Sequence, residues 1–176
     1  MNASSLLVNR APVLTLWAAV VAERLGHPRA TALTLGKAVA GLNAQSKGRR
    51  LGIYAEPDAA PSEARPKRRP SKSVVHLLGR AVPVVSTPKG LRASVKGAVE
   101  QPEPVERYLA QKFGDALPDV EAAMTELARA YPPSELGEEA YRLYEAFRPG
   151  IPAGVKGWGA KGRLDLGRIR ALARRA

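Results

Sequence analysis

The chain has 176 residues, a formal charge of +12 and no cysteine. The last fact excludes disulfides, thiolate metal sites and cysteine nucleophiles, and it fits a reducing cytosol. The length allows one or two domains with a real core, and aromatics at 5% leave Ala, Leu and Val to fill it, which favours helices packed closely on small residues.

The charge is uneven along the chain. Residues 1–73 carry twelve Lys/Arg against four Asp/Glu, a net +8. Residues 74–114 carry +3, residues 115–150 carry −5, and residues 151–176 carry +6. A dipolar pattern of this kind directs a field at a partner of opposite sign.

Residues 11–22, APVLTLWAAVVA, are too few to span a bilayer. Arg10 before them and Val20, Val21 and Ala22 at their end loosely mimic a secretory signal. The apolar rhythm runs on past Glu23 and Arg24 to Leu25, so a helix of the fold is expected over 12–25. Pro12 suits its first turn, and Gly26 reads as its C-terminal cap. A second helix is expected over 30–45, with Ala32, Leu35, Val39 and Leu42 as its apolar stripe. Gly36 and Gly41 are poor helix formers, and close approach to the first helix would compensate them. The short connection GHPRAT predicts a helical hairpin.

Residues 54–73 hold four prolines and little that could enter a core, so a basic, disordered linker is expected. Next, VVHLLGRAVPVV reads as one strand and LRASVKGAV as its partner, joined at STPKG into a β-hairpin. Pro83 would push its strand to an edge. Helices follow over 102–114, 118–131, 134–147 and 166–174. Their inward residues are Val105, Tyr108, Leu109 and Phe113, then Val120, Met124 and Leu127, then Leu136, Ala140, Leu143 and Phe147, and finally Ile169 and Leu172. The expected architecture is mainly α (α+β). It has a helical-hairpin domain over 1–53, the linker, and a β-hairpin plus helical domain over 74–176 with a basic C-terminal tail.

Three basic segments carry the functional reading. In the first, Lys37, Lys47, Arg49 and Arg50 could meet phosphates, and Asn43 and Gln45 could bond bases or backbone. Its outline resembles a helix-turn-helix reader, although the polar residues gather at the C-terminal end. A dimerisation hairpin with a solvated end competes with that reading. In the second, Arg65, Lys67, Arg68, Arg69 and Lys72 crowd the linker, where mobile cations bind phosphate backbone by counterion release. In the third, Lys156, Lys161 and Arg163 flank Trp158, an arrangement suited to base stacking beside phosphate contacts. The competing reading has Trp158 folded back onto the helical core as an anchor for the tail. Arg168 and Arg170, with Arg174 and Arg175, make the last helix basic.

Other patterns are rejected. Gly157, Gly159 and Gly162 spell a dinucleotide-loop spacing, but no strand precedes them and too little chain follows for a βαβ unit. Glu135, Glu138, Glu139 and Glu145 read as a solvated helix face. His27 falls in a helix–helix turn and His76 in an apolar strand as a structural residue, so neither a triad nor a zinc site follows. No catalytic residue, metal or cofactor is expected.

Three segments, LTLWAAVVAERLG, ALTLGKAVAGLNAQSKG and GWGAKGRLDL, together resemble a family of small hypothetical proteins from bacteria with GC-rich genomes. The resemblance implies a bacterial, cytosolic protein and carries over no activity and no functional residue. The expectation is therefore a non-catalytic nucleic-acid binder, with double-stranded DNA ahead of RNA and no membrane role. A homodimer through the N-terminal hairpin is also expected. The alternative is a protein–protein adaptor with no nucleic-acid role.

Overall fold

In the computed structural model, residues 5–50, 73–95, 98–149 and 161–175 are described. Helix α1 (Arg10–Arg24) is its centre, and every residue from Pro12 to Ala22 is buried. A helix apolar on all sides must be surrounded, not laid on a surface. It starts two residues earlier than its apolar stripe suggests, and Pro12 falls among the first-turn positions whose N–H has no helical partner. The helix ends in a Schellman motif. Gly26 takes φ +112°, its N–H donates to the Glu23 carbonyl at 3.0 Å, and the His27 N–H donates to Ala22 at 3.0 Å.

Helix α2 (Arg29–Arg50) folds back against α1 and runs five residues beyond its expected end. The hairpin closes tightly at Gly36, where a Cβ would meet the Thr15 carbonyl oxygen at 2.3 Å. Gly41 does not share that role, since its side is open and exposed. The apolar surface on which the dimer expectation rests is thus covered inside one chain by the remaining elements.

Those elements are α3 (Pro102–Phe113), a 3-10 turn (Gly114–Ala116), α4 (Leu117–Arg129), α5 (Pro133–Phe147) and α6 (Leu166–Arg175). The first, third and fourth of these carry proline in the first turn, where its missing N–H is no loss. The helix expected over 134–147 starts one residue earlier, at Pro133, with Pro132 as its cap. The expected inward residues of α3, α4 and α5 are all buried except the half-buried Tyr108. Trp17 of α1 reaches α5, donating its Nε1–H to the Ala140 carbonyl at 2.9 Å and meeting Phe147 edge-on at 5.3 Å. The residues assigned to separate units on either side of 54–73 therefore share one hydrophobic core. Residues 54–72 of the expected linker lie outside the described residues, and Ser73, placed at its end, is instead the first residue of a strand.

The β region departs from a single hairpin. Strands β2 (Ser73–Leu77), β3 (Arg80–Thr87), β4 (Gly90–Val95) and β5 (Ala98–Val99) form an antiparallel sheet in that order. The stretch read as one strand turns at Leu78 and Gly79, both with positive φ (49° and 77°), the pattern of a two-residue hairpin turn. Burial of Leu78 holds that residue in a backbone region that favours Asn or Gly. Strand β3 is inner, not an edge, and Pro83 sits one residue before its pairing with β4 begins at Val84 and Ala93. His76 is exposed, so it is not a buried structural histidine.

Helix α2 covers the part of the β4 edge that β5, paired only at Ser94 and Val95, leaves open. Thr31 Oγ1 donates to the Leu91 carbonyl at 2.7 Å, and Thr34 Oγ1 accepts the Ala93 N–H at 3.0 Å. Thr34 is fully buried, and its hydroxyl proton goes to the Thr31 carbonyl at 2.8 Å. Thr34→Val keeps the shape and strands the Ala93 N–H, so a loss of about 1–3 kcal/mol is expected in urea unfolding.

A second sheet escapes the sequence reading altogether. Strand β1 (Ser5–Asn9) pairs antiparallel with β6 (Lys161–Asp165), with Asn9 opposite Lys161 and Ser5 opposite Asp165. Part of the expected basic loop is therefore a strand, with Gly162 and Leu164 buried and Arg163 and Asp165 exposed.

Candidate nucleic-acid interface

The expected contact residues are scattered over the fold. Lys37 is exposed on α2. Asn43, Gln45, Lys47, Arg49 and Arg50 occupy the last turns of α2, and their side chains lie outside the described residues. Arg65, Lys67, Arg68, Arg69, Lys72, Lys156 and Trp158 lie outside them as well. Lys161 and Arg163 are in β6, while Arg168 (exposed) and Arg170 (half-buried) are in α6.

One of these residues, Arg168, belongs to a group that the sequence does not reveal. The C-terminal end of α5 carries carbonyls without helical partners, and arginines converge on it. Arg168 donates its Nε–H to the Ala146 carbonyl. Arg10, from the start of α1, donates its Nε–H to the Pro149 carbonyl at 2.7 Å. Arg148 follows α5 directly and lies 6.0 Å from the centre of the Tyr144 ring. Positive charge at a helix C-terminus is favourable, and capping uses one donor each from Arg10 and Arg168. A guanidinium has five, so most of its hydrogen-bonding capacity remains.

What distinguishes the group is its lack of counter-charge. Among the described residues no carboxylate forms an ion pair with Arg10, Arg148 or Arg168. Burial, and then the neighbouring Arg148, push the Arg10 guanidinium below its ordinary value. Two like charges held this close repel, and an anion between them would relieve the repulsion. The Asn9–Lys161 pair brings the start of β6 to the residue preceding Arg10, on the same side of the molecule.

Tyr144 reports on the same place. Burial pushes its phenol up to about 12, against the opposing pull of Arg148 and Arg10. Below about pH 10 the folded and unfolded chains both hold that proton, whereas above it only the unfolded chain releases it. Stability is therefore expected to fall by about 1.4 kcal/mol per pH unit between about 10 and 12. Half-buried Tyr108, whose phenol is also raised by desolvation, adds loss of the same sign. The difference between wild type and Tyr144→Phe in alkaline unfolding curves isolates the contribution of Tyr144.

The acidic block is partly engaged elsewhere, by a residue the sequence reading also passed over. Arg29 bridges Glu121 at 2.7 Å, Glu23 at 3.2 Å and Glu106 at 3.5 Å, tying α1, α2, α3 and α4 together. Glu135, Glu138 and Glu145 are exposed, and Glu139 pairs with Arg142. Arg92 is 5% exposed in β4 and donates to the Leu91 and Lys89 carbonyls, fastening the β3–β4 turn. Among the described residues no group of three or more His, Asp or Glu is placed to hold a metal ion, and no helix is long and apolar enough to cross a membrane.

Comparison of the chain with protein-family models, curated proteins and solved structures gives no match.

Proposed function

We propose that this is a non-catalytic nucleic-acid-binding protein of the bacterial cytoplasm, regulatory or nucleoid-associated, that holds duplex DNA by its phosphate backbone. The observation that carries the reading is the gathering of Arg10, Arg148 and Arg168 at one helix end without a paired carboxylate. Charge left uncompensated on the protein is what a polyanion neutralises, and release of its counterions drives the association. The arginine-rich residues 54–73 support the same reading by composition. Backbone contacts carry no sequence information, so affinity should vary little among sequences. Fluorescence-anisotropy titration of unrelated short duplexes tests this. Saturable binding within about tenfold across sequences is expected, and no binding at all would contradict it.

The adaptor reading has one observation of its own. Val74 and Val99 are 45% and 40% exposed on the face of the four-stranded sheet turned away from the core. Removing residues 54–73 separates the two readings. Duplex affinity falls if those cations contact DNA, whereas capture of a protein partner by the sheet face is unaffected.

A further inference from the structure

Helix α6 has an arrangement of charge that phosphate-backbone contact alone does not require. It rests on Leu166 and Ile169, both almost wholly buried, and Asp165 caps its start by accepting the Gly167 N–H at 2.9 Å. At about 100° per residue, Arg168 and Arg174 fall about 60° to either side of Ala171. Both arginines are exposed, so the outward face has a guanidinium on each flank, and at the same spacing Gly167, Ala171 and Arg175 occupy the helix positions between them. The two are about 9 Å apart along an axis about 15 Å long. The Arg168 Nε–H is fixed to the Ala146 carbonyl, which joins this face to the arginine group at the end of α5.

We propose that α6 enters the major groove of B-form DNA, with Arg168 and Arg174 meeting the phosphates of opposite strands. The inference rests on the nucleic-acid reading and names the substrate within it. The major groove of B-form DNA, about 12 Å wide with a phosphate strand on each wall, admits a helix. The A-form major groove of duplex RNA is too narrow for one. Single-flank contact from outside the groove would need arginines on one side only. The cleft beside Arg174 is lined by Glu121 and Glu126 of α4 as well as by Arg129, and Glu121 is already paired with Arg29.

The test compares the unmodified chain on duplex DNA and duplex RNA of the same sequence, by anisotropy at fixed salt. DNA is expected to bind at least about tenfold tighter. Methyl green, which occupies the major groove, should displace the protein from DNA, and netropsin, which occupies the minor groove, should not. Arg174→Ala should weaken DNA binding several-fold with an unchanged circular dichroism spectrum. Equal binding to both duplexes, or displacement by netropsin alone, overturns the groove assignment while leaving backbone binding intact. Binding to neither duplex overturns the nucleic-acid reading itself.

Discussion

Gly36→Ala is expected to destabilise the fold by about 3 kcal/mol, lowering Tm by about 6–12 °C. The new methyl would stand 2.3 Å from the Thr15 carbonyl oxygen and 3.2 Å from the Ala19 nitrogen. Both are backbone atoms of α1, so no side chain can rotate away. The helices would have to separate, and α1 is enclosed by α2, β1 and the later helices. Interiors are packed too densely to absorb such a shift locally. Gly41→Ala is the control in the same helix. Nothing lies within 4 Å of its Cβ, and the position is exposed. There the gain in helix propensity acts alone, and stability should rise by about 0.5–1 kcal/mol. Thermal unfolding followed by circular dichroism reads both. If both substitutions moved Tm in the same direction, the close crossing at Gly36 would be wrong.

The second large effect concerns the arginine group. Arg10→Ala and Arg148→Ala should each weaken duplex binding and each reduce the salt slope by about one unit, because each removes a phosphate contact. The losses should be similar for all duplex sequences. Their effects on the fold should differ. Arg10 donates to the Pro149 carbonyl, so its loss costs about 1 kcal/mol of stability. Loss of Arg148 removes a charge that repels Arg10 and should cost less. Stability and affinity are thus expected to change independently across the pair. A purely structural role predicts instead that affinity follows stability. Anisotropy and urea unfolding on the same two variants distinguish these outcomes.

The helices were legible in the sequence because their information is local. Apolar residues at helical spacing, prolines at the starts of α3 to α5, and Gly26 after α1 placed them within a few residues. Gly36 could be read as a close approach, but the same argument misassigned Gly41, because a glycine does not say which face of the helix it occupies. The β1–β6 pair was hidden because it joins residues more than 150 positions apart, and KGRLD has only one large apolar residue. The turn at Leu78 was hidden because its chemistry is wrong for a turn, and burial of the leucine overrides local preference.

The site was the least legible part. Counting cations found the basic segments, yet Arg10 and Arg148 each stand apart from any cluster in sequence. Only folding sets the start of α1 against the end of α5. The count also overstated the free charge, since Arg29 alone bonds three glutamates and Arg92 is buried against carbonyls.

The claim that the chain binds duplex DNA by neutralising phosphates is tested most directly by its salt dependence. Affinity should be measured for one duplex between about 50 and 200 mM salt and plotted as log affinity against log salt. Three arginine contacts alone predict a slope of about −2.7, steeper if residues 54–73 also engage. A slope near zero would contradict the account.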